Sequence, residues 1–141
     1  MTSPVLSSFQ IQAIIMIESN FKRKDIIDFT KEQKPSLDLK TSYLKTAEGL
    51  YCLVELAYKA SIDGETVPVV EASIKIGGNF IKQGEGPIDI DTFGKVNAPA
   101  IIYPFIREQL SSLSLKASLT PILLPPVNFQ AVSEQNTAKK Q

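Results

Sequence analysis

The side chains that could carry out catalysis are few in this chain, and the most versatile one is missing. The sequence has no histidine, the commonest general base and the commonest metal ligand in proteins. It has one cysteine, Cys52, so it can form neither a disulfide within the chain nor a cluster of thiolates around zinc. Cys52 falls on the apolar side of a predicted strand, which favours an inert core thiol over a nucleophile that needs a base.

Two nearby carboxylates, Asp89 and Asp91, are the next candidates, because they share a face if their segment is extended. Such a pair could bind a cation or exchange protons, but no third ligand is close in sequence, which favours a solvated loop. The segment from Gly84 to Gly86 lacks the flanking pattern of a phosphate-binding loop and predicts a turn. The sequence therefore predicts no catalytic residue, no metal site and no cofactor, and we expect a binding protein rather than an enzyme.

The charge balance argues against a nucleic-acid partner. Lysine and arginine together number 15, as do aspartate and glutamate, so the chain has no net charge that would attract a nucleic acid. The basic run Lys22-Arg23-Lys24 is short and is followed by Asp25 and Asp28. No apolar run approaches the ~20 residues of a membrane-spanning helix, and the first residues do not resemble a secretion signal. We expect a cytoplasmic protein that binds no nucleic acid and does not insert into membranes.

The first part of the chain has the alternating pattern of strands. Residues 9–17 carry apolar side chains at every odd position, which predicts a strand with one fully apolar face. Residues 18–34 are polar and predict a connection. Leu37 and Leu39 alternate with polar neighbours and predict a second strand.

The middle of the chain gives the clearest strand signal. Residues 50–62 carry apolar side chains at every even position, with Glu55, Lys59 and Ser61 on the opposite face, and residues 70–76 repeat the alternation. Asp63-Gly64 between them predicts a tight hairpin turn. Gly77-Gly78 predicts a bulge or a close approach of another backbone. These strands predict an antiparallel sheet, of four strands in all.

The period changes after Pro99. Residues 102–117 have helical spacing, and Pro104 inside the pattern is tolerated best near the start of a helix. The prolines at 121, 125 and 126 predict an extended apolar segment, and Asn128 predicts the cap of a short last helix. We expect one domain over residues 1–141, of α+β class, with two C-terminal helices packed on the sheet and a disordered tail at 136–141.

Large apolar side chains recur in segments that are predicted to be exposed or at an edge. They are Phe21, Phe29, Phe80, Phe105 and the run Ile122-Leu123-Leu124. Each alone could belong to the core. Together they indicate an apolar surface that is kept for a partner or for self-association.

Four segments resemble the SecB family of export chaperones in order and spacing. They are Phe9-Gln10-Ile11-Gln12, Gly77-Gly78-x-Phe80, Ile102-Tyr103-Pro104-Phe105-Ile106-Arg107-Glu108 and Pro126-Val127-Asn128-Phe129. The resemblance extends from about Phe9 to Phe129. The Tyr-Pro-Phe-x-Arg-Glu run, followed about twenty residues later by Pro-Val-Asn-Phe, is its most specific part.

The resemblance implies an α+β subunit assembled as a homotetramer, a dimer of dimers. It implies ATP-independent capture of unfolded precursor polypeptides in apolar grooves, and their delivery to the SecA translocase motor. The matching groove positions are Leu37, Leu39 and Phe105, to which exposure and proximity add Phe21, Phe80, Leu123, Leu124 and Phe129.

The chain departs from the family at the acidic positions that dock SecA. Glu18 is retained and Glu71 is close to another such position, but Lys22 stands where a glutamate is usual and Ser73 replaces an acidic residue. Three hypotheses follow: a general export holdase, a chaperone dedicated to one client such as an antitoxin, and an oligomeric adaptor that is not a chaperone.

Overall fold

The computed structural model describes residues 8–84 and 88–133, and its centre is an antiparallel sheet of four strands. The strands are β1 (Phe9–Arg23), β2 (Lys34–Lys45), β3 (Gly49–Ser61) and β4 (Val70–Lys82). Their spatial order is β1-β4-β3-β2, so β1 and β2 are the edges. The predicted α+β class and the four antiparallel strands are confirmed.

A continuous helical segment follows the sheet. It consists of a single turn α1 (Ile90–Thr92), a π-helical turn (Phe93–Asn97) and the long helix α2 (Ala98–Lys116). The carboxylate of Asp89 accepts a hydrogen bond of 2.8 Å from the Thr92 amide and caps the first turn. Asp89 therefore has a structural role as a helix cap, where the sequence favoured a solvated loop.

The second C-terminal helix, α3, covers residues 129–133. The Asn128 side-chain oxygen accepts hydrogen bonds from the amides of Gln130 and Ala131, at 3.0 and 3.2 Å, so the predicted cap is confirmed. The predicted tail at 136–141 lies outside the described residues.

Pro104 lies well inside α2 rather than near the start of the helical segment. A proline in a helix lacks the amide that would bond to the carbonyl four residues earlier, here that of Ala100. Both Pro104 and Ala100 are exposed, so water can hydrate the freed carbonyl. The helix therefore tolerates a proline that the sequence analysis placed at its beginning.

Strand β1 differs most from its prediction. It continues to Arg23, through residues that were predicted to form a connection. Its register against β4 shifts between Ile11 and Ala13 and again between Met16 and Glu18. Each bulge moves the following side chains to the other face of the sheet, so the predicted single apolar face does not exist.

The connection from β3 to β4 also differs from the tight hairpin that was predicted. It spans residues 62–69, although Gly64 has the expected positive φ of 87° and the Glu65 amide donates to the Ile62 carbonyl. The backbone amide of Lys24 donates a hydrogen bond to the Val69 carbonyl, and its ammonium group forms an ion pair with Glu65, so Lys24 ties the connection to the end of β1.

The core lies between α2 and one face of the sheet, which we call the helix face. Its fully buried side chains come from β3, β4 and α2: Leu50, Val54, Leu56, Ile74, Ile102, Ile106 and Leu110. A methyl group added at Gly78 would lie 3.0 Å from the side chain of Ile102, so this glycine makes room for a side chain of α2 and not for the bulge or the backbone approach that was predicted.

Phe80 belongs to this core, and its predicted exposure is wrong. Only 2 % of its surface is accessible. Its ring meets the ring of Phe93 edge to face at 5.1 Å between centroids, and Phe93 stacks on Phe9 at 4.0 Å. Phe80 is buried because the π-helical turn brings Phe93 down onto the end of β4.

Cys52 gives a test of the core. Burial raises the pKa of its thiol to about 12, so almost no thiolate exists at mildly alkaline pH. We expect a thiol reagent to label the folded protein about a thousandfold more slowly than the chain in guanidinium chloride. Labelling that is equally fast in the folded protein, with its circular dichroism intact, would show that this part of the core is open.

Candidate functional site

A groove with a volume of about 430 Å³ opens on the helix face beside the beginning of β2. Its lining is apolar apart from one phenol and comprises Pro35 and Leu37 of β2, Tyr58 of β3, and Pro121, Ile122, Leu123, Leu124 and Pro125. Burial raises the pKa of the Tyr58 phenol, which therefore stays neutral at ordinary pH. An uncharged groove of this kind binds apolar side chains without reading a particular sequence.

One wall of the groove is an extended segment, residues 121–125, which we call the strap. Prolines at both ends prevent it from forming a helix or a central strand. The strap therefore depends on side chains to hold it in place.

Two hydrogen bonds from α2 hold the strap. The hydroxyl of Ser114, which is fully buried, accepts from the Ile122 amide at 3.0 Å and donates to the Ser111 carbonyl at 2.8 Å. The hydroxyl of Tyr103 donates to the Pro125 carbonyl at 2.7 Å. These bonds fix the strap near both of its ends.

The turn that leads into the strap ends α2. Ser118 has a positive φ of 59°, the left-handed conformation common just after a helix. The Ser118 amide donates to the Leu115 carbonyl, and the Leu119 amide donates to the Ser114 carbonyl. The chain thus reverses direction and runs back along α2 towards the groove.

Leu123 is the most prominent apolar side chain of the strap, with 78 % of its surface exposed. A second depression of about 240 Å³ lies on the other side of it, against α2. Pro104, Arg107, Glu108 and Ser111 line this depression together with Leu123 and Leu124. Leu123 therefore forms a ridge between an apolar groove and a more polar one.

The structure brings together only some of the binding residues predicted from the sequence. Leu37, Leu123 and Leu124 meet in the groove. Leu39 is half-buried against the core, one step further along β2. Phe105 is 46 % exposed on α2 but lies outside the groove lining.

Three other predicted residues are less accessible than expected. Leu124 and Phe129 are each 4 % exposed, so the expectation that they are open to solvent is wrong. Phe129 packs edge to face on Tyr103, with 5.6 Å between centroids, because α3 folds back onto α2. Phe21 is half-buried and packs against the core.

The sequence analysis missed Tyr58 and Pro35 as parts of the groove. Tyr58 lies directly opposite Leu37 in the pairing of β2 with β3, and Pro35 is one step earlier on the same face. The alternation of β3 already placed Tyr58 on the apolar face. The pairing of Tyr58 with Leu37 depends on the register between the two strands, which the sequence analysis did not predict.

Glu18 and Glu71, the predicted motor-docking residues, lie on the face of the sheet opposite the helices. Each is next to a lysine. Glu18 is 3.3 Å from the ammonium group of Lys75, and Glu71 is 3.8 Å from that of Lys59. The hydrogen bond with Glu18 raises the pKa of Lys75, with a further contribution from Glu55.

Within residues 8–84 and 88–133, no group of three or more cysteine, aspartate or glutamate side chains could hold a metal ion. In the same ranges, no helix combines the length and the apolar character that crossing a membrane requires.

Comparison with known proteins identifies relatives over nearly the whole chain. The family described as "Preprotein translocase subunit SecB" matches residues 4–140. The protein-export protein SecB of Marinobacter nauticus is 32 % identical, over 94 % of this chain and 82 % of its own. That of Cellvibrio japonicus is also 32 % identical, over 94 % of this chain and 81 % of its own.

A solved structure has the same fold. The SecB-like chaperone of Mycobacterium tuberculosis, solved in complex with a peptide from an antitoxin, aligns with a TM-score of 0.69. The alignment covers 84 % of this chain and 90 % of that chain, at 13 % sequence identity.

The bond between Ser114 and the strap can be tested by Ser114→Ala. Because the Ile122 amide loses its partner, we expect the free energy of unfolding to fall by about 1–3 kcal/mol and exchange of the Ile122 amide hydrogen to accelerate. Ser112→Ala on the same helix is the control, with an expected change within about 0.5 kcal/mol. Unchanged exchange at Ile122 in the Ser114 variant would contradict the role given to this hydroxyl.

Proposed function

The chain belongs to the SecB family of protein-export chaperones, and on this premise we propose that it is an ATP-independent holdase for unfolded precursor polypeptides in the cytoplasm. The family is one of chaperones rather than enzymes. The proposed activity is binding, in which apolar side chains of an unfolded client leave water for an apolar surface of this protein.

The observation that carries the proposal is the apolar groove, with the side chain of Leu123 exposed to solvent at its wall. Burial of apolar area stabilises a complex by about 25 cal/mol per Å² and imposes no direction or sequence. Leu37 and Leu123 offer such area on opposite walls of the groove. A surface of this kind binds many unfolded chains and few folded ones, because folded proteins have buried their large apolar side chains.

The free edge of β2 supports the same proposal. Within the described residues, β2 pairs with β3 alone, and the pairing runs from Lys34 to Lys45 without a bulge. The outer edge of such a strand can hydrogen-bond the backbone of an extended client, whatever its sequence. Side chains of a client at this edge would alternate into the groove beside Leu37.

Exposed apolar residues on the other edge of the sheet support self-assembly. Ile11, Ile15, Met16 and Ile17 of β1 are exposed, which is a large apolar surface for an edge strand. We propose that copies of the chain associate through this edge on the way to a homotetramer. Several grooves on one assembly would then hold a long client together and multiply modest local affinities.

A second candidate is a chaperone dedicated to one client. The solved relative with an antitoxin peptide shows that this fold can serve such a client in that protein. The lysine at position 22 and the serine at position 73 favour this candidate, because they replace acidic residues of the general export chaperones. A dedicated client would still use the groove, since apolar side chains are what it offers.

We propose that docking of the SecA motor at Glu18 and Glu71 is weak in this chain. Both carboxylates already face lysines, and Lys75 also lies 3.4 Å from Glu55. A basic partner would have to compete with these lysines for the same carboxylates.

The holdase proposal predicts the effect of Leu37→Ala combined with Leu123→Ala. We expect the double variant to bind a reduced, unfolded polypeptide about 10- to 100-fold more weakly, since both substitutions remove apolar surface from the groove. Binding is measured by fluorescence anisotropy, and holdase activity by suppression of client aggregation. Leu44→Ala is the matched control, because Leu44 is exposed on the same strand but faces away from the groove.

Two clients of unrelated sequence separate the candidates. If the protein suppresses the aggregation of both clients, it is a general holdase. If it suppresses the aggregation of only one, it is a dedicated chaperone. If the folded wild-type assembly binds neither client, both candidates are rejected and the adaptor hypothesis takes their place.

Motor docking is tested by titration with the zinc-binding C-terminal tail of SecA. We expect weak binding to the wild type and about fivefold stronger binding to Lys75→Ala, which frees Glu18 and Glu55. Lys95→Ala makes the same change of charge on the helical side and should have no effect. Tight binding to the wild type would overturn the proposal of weak docking.

A further inference from the structure

Arg23, the last residue of β1, lies on the helix face because of the second bulge of that strand. The bulge between Met16 and Glu18 changes the register so that Arg23 lies opposite Val70, a buried residue of β4. Without this bulge, Lys22 would lie on the helix face instead. The alternation of β1 alone therefore does not show that Arg23 faces the helices.

The guanidinium group of Arg23 is half-buried and donates to three backbone carbonyl groups. Nη1 donates to the Ala117 carbonyl at 2.7 Å, Nε to that of Lys24 at 2.8 Å, and Nη2 to that of Asp25 at 3.1 Å. Two of the acceptors belong to the residues that follow Arg23, whereas the third is 94 positions away in the chain. The flat fork of donors of an arginine suits this arrangement, and a lysine could not reproduce it.

The backbone that carries Arg23 is itself held in place. The amide of Lys24 donates to the Val69 carbonyl at 2.9 Å, and the Lys24 ammonium group pairs with Glu65. Arg23 therefore extends from a fixed point at the end of the sheet, and its bond to Ala117 can restrain the segment that it reaches.

Ala117 lies at the C-terminal end of α2, where the turn towards the strap begins. The last carbonyl groups of a helix have no partner within the helix, and a positive charge beside them is favourable. Arg23 supplies both a donor and a positive charge at this point. The position of the turn at Ser118 is therefore fixed by β1 as well as by α2.

A small second core connects the surroundings of Arg23 with the groove. Leu119, just before the strap, and Ile122, within it, pack against this core, as does Tyr58 of the groove lining. Movement at the end of α2 would therefore reach the groove through side chains that are in contact. The buried members of the second core come from the ends of β3 and β4 and the connection between them: Ala60, Ile62, Val69 and Val70.

A second polar bond holds α2 on the side of β1. The side-chain amide of Gln109 donates to the hydroxyl of Ser19, another helix-facing residue of β1, at 3.0 Å. Because α2 is narrower than the sheet, its bonds to Arg23 and Ser19 oppose a sideways movement towards β2. The strap lies on the other side of α2, so such a movement would change the distance across the groove between Leu123 and Leu37.

We propose that Arg23 is a positioning residue for the groove, because it fixes the end of α2 and thereby the strap that forms one wall. Arg23 is not part of the groove lining, so it acts on a client only through the strap. Its effect on client binding rests on the proposed holdase function, whereas its effect on the strap does not.

Hydrogen exchange in Arg23→Gln tests the positioning of the strap without a client. The substitution removes the bond to Ala117, so the turn and the start of the strap should open more often. We expect the amide hydrogens of Leu119 and Ile122 to exchange about tenfold faster than in the wild type.

The amide of Thr46, in the turn at the other end of the sheet, is the internal control and should keep its wild-type exchange rate. Lys22→Gln is the matched control variant, because it removes the same charge from the neighbouring position on the opposite face. It should leave the exchange rates of the strap unchanged. A milder variant, Arg23→Lys, keeps the charge but donates to fewer carbonyl groups, and we expect exchange in the strap to be about threefold faster. It replaces Arg23→Gln if thermal unfolding shows that the latter does not fold.

Client binding tests whether a displaced strap weakens the groove. We expect Arg23→Gln to bind a reduced, unfolded polypeptide about five- to tenfold more weakly than the wild type. Combined with Leu37→Ala and Leu123→Ala, the same substitution should change binding by less than about twofold, because the displaced wall has already lost its contacts. A general loss of stability would instead weaken binding by the same factor in both backgrounds.

The positioning role is overturned if exchange at Leu119 and Ile122 is unchanged in both variants of Arg23, or if Thr46 accelerates to the same extent. It is also overturned if the effect on client binding persists when Leu37 and Leu123 are replaced. A wild type that binds no client would instead reject the proposed function, and the exchange rates would still decide the role of Arg23.

Discussion

The width of the sheet sets the constraint on which the rest of the structure depends. One helix is about 10 Å across, whereas four strands span about 19 Å, so α2 cannot cover the whole helix face. It packs on β3 and β4, the central strands. The apolar residues at the beginning of β2 are left for another element to cover, and among the described residues the strap takes that place. Three prolines and three aliphatic residues in the six positions 121–126 cannot form a regular layer, so the cover is incomplete and a groove remains.

The strap forms a fixed wall beside the part of the helix face that α2 leaves uncovered. An extended segment without partners in a sheet would be mobile, but Ser114 and Tyr103 hold it near both ends. Leu124 is buried below, and Leu123 is consequently directed outwards. Two neighbouring residues of the same type thus have opposite roles, one as an anchor and one as an open contact. The rigidity of the site comes from polar bonds, and its capacity for binding comes from apolar area.

Alternation and helical spacing predicted the elements well, because those signals are local. The faces of β3 and β4, the helix after Pro99 and the cap at Asn128 all follow from neighbours in sequence. The prediction of a single apolar face for β1 was wrong because its bulges depend on the pairing with β4, which the sequence of β1 alone does not show. Phe80, Leu124 and Phe129 were expected to be exposed for a related reason. Phe80 is buried by Phe93, Phe129 by Tyr103 of α2, and Leu124 by the rest of the core, and no feature of their own segments predicts these contacts. The groove was predicted in part, since Leu37 and Leu123 were named while Tyr58 and Pro35, which complete it, were not.

The period of two in a strand lets the two faces of this sheet carry independent functions. Side chains at odd positions of β2, such as Leu37 and Leu39, lie on the helix face, while those at even positions, such as Lys40, lie on the opposite face of the sheet. Lys22 and Ser73 lie on the face opposite the helices, so changes at these positions leave the lining of the groove unaltered. The helix face cannot vary so freely, because its residues also form the core. For this reason substitutions should be tolerated more easily on the face opposite the helices than on the helix face.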